Sequence, residues 1–207
     1  MSDPVVRHRS MTVEEYRAFE ATSNERHEYV DGMIYAMTGA SRRHNRIVGN
    51  VYRRLADAAD NGPCRVYMES VRVRVAERLF YYPDVVVACG EPGDEHEENA
   101  PCVLVEVLSP STETTDRREK TMFYRQKQGL VAYVIVHQDQ RLVHAHVRDG
   151  DAWYETSYRA DDDVLSIPCL DVQLTVAEIY AGVEREGGEP LASASPRRVR
   201  EAEPVER

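Results

Sequence analysis

The sequence predicts an α/β domain, a mixed sheet with helices on both faces. Three observations carry that expectation. Residues 81–87 and 102–108 are almost unbroken apolar runs rich in β-branched side chains, the pattern of strands buried on both faces. Ile47, Val48, Val51, Leu55 and Ala58 recur at helical spacing, so residues 42–60 form a helix that packs on a sheet. Residues 71–75 alternate apolar and basic, which is a strand with one wet face.

Each buried run carries one carboxylate, Asp84 in the first and Glu106 in the second. A lone acid on a buried strand costs several kcal/mol unless it is paired, protonated or bound to a metal. If the two strands are neighbours, the acids meet, and like charges that close do not both ionise without a cation. A divalent metal is the simplest neutraliser, and hard oxygen ligands favour Mg²⁺ or Mn²⁺. The other reading leaves one acid in solvent at a strand end and pairs the second with an arginine.

The remaining elements follow in order. Thr12 and Glu15 form a capping box for a first helix with Val13, Tyr16 and Phe19 on one side. Asp31-Gly32 between two short apolar-alternating runs signals a hairpin, with Glu28 on its first strand. Ser41 caps the next helix and places His44 in its first turn, facing either a cleft or solvent. Residues 65–75 read as one strand, 79–88 and 102–108 as the two central strands, and the acidic stretch 90–100 between them as a mobile surface loop. A helix over 114–128 carries Asp116, Arg117, Lys120 and Tyr124; Lys120 and Tyr124 share a face. Residues 131–137 are a further buried strand, 141–147 and 153–158 the edge strands of a meander, and 175–181 a last helix with a box of Thr175 and Glu178. Residues 1–10 and 184–207 read as unstructured ends around a single domain over 11–183.

Composition narrows the class. The 207 residues hold 42% hydrophobic and 30% charged side chains, an ordinary globular balance. No stretch approaches the ~20 apolar residues of a membrane span, and residues 1–10 lack an apolar signal core, so a cytoplasmic protein with no membrane contact is expected. Cys64, Cys89, Cys102 and Cys169 form no CxxC pair and read as separate reduced core residues, with no zinc site expected. The net charge of −10 argues against strong non-specific binding to a polyanion, so a nucleic-acid role needs a local basic patch or a metal-filled cleft.

Tyr82-Pro83-Asp84-Val85-Val86-Val87, Val105-Glu106-Val107-Leu108-Ser109-Pro110-Ser111 and the Asp116, Arg117, Lys120, Tyr124 pattern together resemble the Uma-two family. The opening Met11-Thr12-Val13-Glu14-Glu15-Tyr16, residues 28–32 and the His44 helix resemble it too. Its members are endonucleases of the PD-(D/E)XK, restriction-endonuclease-like superfamily. The resemblance covers about residues 11–182. It implies an αβββαβ core with an N-terminal helix and hairpin and a C-terminal meander. It also implies Asp84 and Glu106 as metal-binding acids for Mg²⁺ or Mn²⁺. The superfamily lysine follows two residues after the glutamate, where this chain has Leu108; the Uma-two pattern supplies it from the next helix as Lys120. Glu28 or His44 fills the place of the first-helix acid, and Arg117 and Tyr124 are candidate substrate contacts.

The expected function is metal-dependent hydrolysis of DNA phosphodiester bonds by a homodimer. The resemblance implies oligomers, and the meander's edge strands expose groups that a second copy can cover. The alternatives are a catalytically silent or regulatory oligomeric module on the same scaffold, and a nuclease for RNA or structured junctions.

Overall fold

The computed structural model describes residues 10–37, 39–60, 62–91, 94–108, 116–183 and 191, with the side chains of 116–118 left aside. The elements are, in order, α1 (Val13–Thr22), β1 (His27–Val30), β2 (Met33–Ala36), α2 (Arg42–Ala59), β3 (Arg65–Met68), β4 (Arg72–Ala76), β5 (Leu79–Tyr81), β6 (Val85–Ala88), β7 (Glu97–Glu98), β8 (Pro101–Leu108), α3 (Asp116–Gln126), β9 (Ala132–His137), β10 (Val143–Asp149), β11 (Ala152–Tyr158), β12 (Val164–Ile167), β13 (Val172–Thr175) and α4 (Val176–Ile179).

The α/β expectation holds. A six-stranded mixed sheet runs β11-β10-β9-β8-β6-β3, with β8 and β9 parallel and its other neighbours antiparallel. One face is covered by α2 and α4 through Ile47, Val48, Val51, Leu55, Val176 and Ile179, packed on Val85, Val87, Val103, Val105 and Val107. The other face presents Val86, Leu104, Leu108 and Ile135 to Tyr124 of α3 and to Val73, Val75, Leu79 and Tyr81. Those last four belong to a second sheet, β2-β1-β5-β4-β7. Behind it, α1 closes a small aromatic core of Tyr16, Tyr29 and Phe80.

Local signals explain the boundaries. Both capping boxes form, Thr12 with Glu15 and Thr175 with Glu178. The Asp31-Gly32 hairpin turns with φ of 45° and 96°, the two positive values that a tight two-residue loop requires.

Several expectations are corrected. Residues 65–75 are two strands in two sheets, because Glu69 and Ser70 turn the chain at φ 49° and 56°. Residues 79–88 are likewise split, into β5 and β6, at Tyr82-Pro83-Asp84. The chain leaves the large sheet after β3, adds β4 and β5 to the second sheet, and returns as β6. The acidic stretch 90–100 is not all surface loop: Glu97 and Glu98 are buried in β7, where Arg17 and Arg72 neutralise Glu97. The β12–β13 hairpin was not anticipated. Most of both expected tails lies outside the described residues, but Leu191 is buried against the core.

The cysteines differ most from expectation. Cys64 bonds to Cys89, and Cys102 to Cys169. Sequence spacing hides this, because β3, β6 and β8 are adjacent and bring Cys64, Cys89 and Cys102 together, while the turn Pro168–Leu170 delivers Cys169. Among the described residues, no helix is long and apolar enough to cross a membrane.

Candidate active site

The strand register places the two acids. β6 and β8 pair antiparallel with Val85 opposite Val105, so one step further Asp84 stands opposite Glu106. The Val107 amide donates to Asp84 Oδ2 at 2.6 Å, which fixes that carboxylate at the mouth of the strand pair. Glu106 lies on the α3 face of the large sheet, between Leu104 and Leu108.

Three further elements converge on these acids. From α3, the Lys120 ammonium donates to Glu28 Oε1 at 2.7 Å and to Glu106 Oε1 at 3.3 Å. One turn on, the Tyr124 hydroxyl donates to the same Glu106 oxygen at 3.1 Å. The β1–β2 hairpin delivers Glu28. From α2, His44 Nε2 sits 3.3 Å from Asp84 Oδ2. Ser41 sets that helix start: its hydroxyl accepts from the His44 amide and donates to Gln138 at the end of β9.

The electrostatics are tense. Burial drives the Glu106 carboxyl up, to about 8; Lys120 pulls it back while Asp84 and Glu28 push it further up. Burial also raises the Tyr124 phenol well above its usual range, and the charge of Glu106 adds to this, so the hydroxyl stays a donor. For His44, burial alone would lower the value, but the hydrogen bond to Asp84 and the charges of Asp84, Glu69 and Glu106 turn the shift upward. Hence one ammonium and one readily protonated imidazole serve three clustered acids. The pocket can hold additional positive charge.

The family model described as "Uma2: Putative restriction endonuclease" matches residues 13–177. This chain belongs to the Uma2 family. The chain is 33% identical over 178 residues to the "uncharacterized protein slr1290" of Synechocystis sp., covering 84% of this chain and 93% of that one. It is 30% identical over 146 residues to the "uncharacterized protein sll1609" of the same organism, covering 68% and 82%. In fold, it is similar to the crystal structure of "a putative nuclease belonging to DUF820" from Anabaena variabilis, with a TM-score of 0.69 and 15% identity over 83% of this chain and 98% of that one.

In this Uma2 chain the fold gathers Asp84, Glu106, Lys120, Glu28 and His44 into one cluster, from five separate elements or their ends. Glu28 and His44 were alternatives for a single role; both are present, on different acids. Tyr124, expected to reach substrate, is instead fully buried with its hydrogen bond spent on Glu106, which makes it a support for that carboxylate. The side chain of Arg117 lies outside the described residues. Leu108 is buried in the apolar cluster beside Leu104, so a lysine there would lie in the core. Sequence reasoning missed Tyr81, whose ring lies 4.9 Å from the Lys120 nitrogen. It also missed Gln138. Tyr81 was readable only as part of an apolar strand; what aims it at Lys120 is the switch between sheets just after it.

Proposed function

We propose that the chain is a metal-dependent nuclease that hydrolyses phosphodiester bonds of DNA. The observation that carries this reading is Lys120, brought from a separate helix to within 3.3 Å of a buried glutamate that faces a second strand acid.

The residues fit a hard divalent ion such as Mg²⁺ or Mn²⁺. Both candidate ligands are carboxylates, and Glu106 is held at a raised pKa, the mark of a buried acid short of positive charge. The contacts described above use Oδ2 of Asp84 and Oε1 of Glu106, so Oδ1 and Oε2 are the candidate ligand atoms. A bound ion would supply Lewis-acid chemistry there, acidifying water and offsetting charge on the phosphate. Lys120 orients the attacking water or contacts the phosphate as a point charge. Glu28 holds the ammonium in place. Tyr124 fixes the Glu106 rotamer, and His44 fixes Asp84. Arg117 is a candidate phosphate contact from the start of α3.

Supercoiled DNA at low ionic strength, with Mg²⁺ or Mn²⁺, tests the reading: nicking that EDTA abolishes and Glu106→Gln removes supports it. Nicking that survives Glu106→Gln comes from elsewhere and overturns it. Cleavage of RNA or junctions alone would move the substrate, not the site. One observation favours a silent module instead: Lys120 already bridges Glu28 and Glu106 and offsets part of their charge without an ion. Failure to bind Mn²⁺ would select it. We also propose a homodimer through the exposed edge strand β11, for which light scattering at micromolar concentration gives the mass.

A further inference from the structure

A second cluster of ligating side chains lies away from the carboxylate cluster. Cys64 precedes β3, Cys89 follows β6, and Cys102 is the second residue of β8. The pairings Arg65 with Ala88 and Ala88 with Pro101 put these three at one end of the large sheet. Cys169 arrives from the short 3-10 turn Pro168–Leu170 after β12. Beyond the two bonded pairs, Sγ of Cys89 and Cys102 are 3.2 Å apart. The sulfurs of Cys89, Cys102 and Cys169 all lie within 4.8 Å of one another. Cys64 Sγ lies 3.8 Å from the Cys169 carbonyl oxygen.

We propose that these four cysteines, when reduced, form a tetrathiolate site for Zn²⁺. Strand register brings Cys64, Cys89 and Cys102 together, and the turn Pro168–Leu170 adds Cys169, so the backbone presents four sulfurs to one point. Four thiolates around one ion must crowd. With Zn–S bonds of about 2.3 Å, tetrahedral ligands sit roughly 3.8 Å apart, inside the 4.8 Å spread of the Cys89, Cys102 and Cys169 sulfurs; Cys64, the bonded neighbour of Cys89, is the fourth ligand. Arg65, next to Cys64, donates from Nη2 to the carbonyl of Gly90, next to Cys89, at 2.7 Å, which ties these two strand ends together. Cys102 is buried and the other three are half-buried, so the ion is shielded yet can enter.

Sulfur chemistry separates this site from the carboxylate cluster. Thiolates select Zn²⁺, whereas the oxygen ligands of Asp84 and Glu106 suit Mg²⁺ or Mn²⁺. The two lie at opposite ends of the same strands: Cys102 and Glu106 are four residues apart on β8, about 13 Å. A closed zinc site there would clamp β3, β6 and β8 together, behind the acids those strands present.

The test is cobalt spectroscopy on full-length protein purified and reduced without air. One equivalent of Co²⁺ should give thiolate-to-cobalt charge-transfer bands and the visible d–d bands of a tetrahedral tetrathiolate, and Zn²⁺ should bleach them. Cys102→Ser should weaken zinc binding by at least about a hundredfold, while Glu106→Gln leaves the spectrum unchanged, which separates this site from the nuclease reading. If Cys102→Ser does not fold, the wild-type spectrum and its bleaching decide. The proposal is overturned if four titratable thiols give no such bands, if the disulfides persist under reduction, or if Glu106→Gln removes the signal.

Discussion

Lys120 and Glu28, 92 residues apart in sequence, meet at 2.7 Å, closer than Lys120 comes to Glu106 at 3.3 Å. The hairpin acid therefore has first claim on the helix lysine. One ammonium, lying over the Tyr81 ring, holds two acids that would otherwise repel. That arrangement makes Glu28 a positioning residue: it acts by fixing where the Lys120 charge sits.

Glu28→Gln should accordingly slow metal-dependent DNA cleavage by about 10- to 100-fold, the usual cost of losing a group that orients a site. Mn²⁺ affinity, read by calorimetry, should hold or improve, because Glu28 is one of the charges that push the Glu106 carboxyl up. A hundredfold loss of Mn²⁺ affinity would instead place Glu28 among the ligands.

Glu106→Gln should lower cleavage on the order of a thousandfold, since metal-ion stabilisation of the transition state is worth several kcal/mol. The same variant should change stability with a definite sign. The folded-state pKa of Glu106 is raised above its usual value to about 8. Between the usual carboxyl range and that value, the folded chain binds the proton more tightly than the unfolded chain. The contribution is then favourable at low pH and is lost as pH rises through the window. Metal-free wild type should lose thermal stability on going from pH 5 to pH 8, and Glu106→Gln should flatten the curve. Identical slopes in the two proteins would refute the assignment.

Lys120→Ala removes the countercharge from a buried pair and should cost about 3 kcal/mol in urea unfolding near pH 8. The penalty should shrink as pH falls and Glu106 takes up a proton. It should also slow cleavage while Mn²⁺ still binds, because the ammonium serves water and phosphate rather than the ion.

Tyr124→Phe deletes one of the two donors on Glu106 Oε1 and should destabilise the fold by about 1 kcal/mol. Mn²⁺ affinity should then rise at a higher pH than in wild type, since the ionised carboxylate has lost a donor. A substrate-binding tyrosine would instead raise KM and leave that pH profile unmoved.

The sequence by itself determined the helix starts, the first hairpin and the two apolar segments that carry Asp84 and Glu106. Apolar runs broken at Asp84 and Glu106, capping boxes at Thr12 and Thr175, and Asp31-Gly32 are local signals, readable because each acts within a few residues. The resemblance at residues 82–87, 105–111 and 116–124 carried Lys120 as the lysine that Leu108 does not supply. Only the tertiary structure decided the rest, because it depends on pairings between distant segments. The strands around residues 65–88 alternate between two sheets, a change of partner that no periodicity reports. That switch puts Tyr81 under Lys120 and Asp84 opposite Glu106. It also turns the Tyr124 hydroxyl from an available contact into a support, and it collects Cys64, Cys89, Cys102 and Cys169 at one end of the sheet. In sequence those four are isolated thiols. Adjacent strands, and the turn that carries Cys169, made them neighbours.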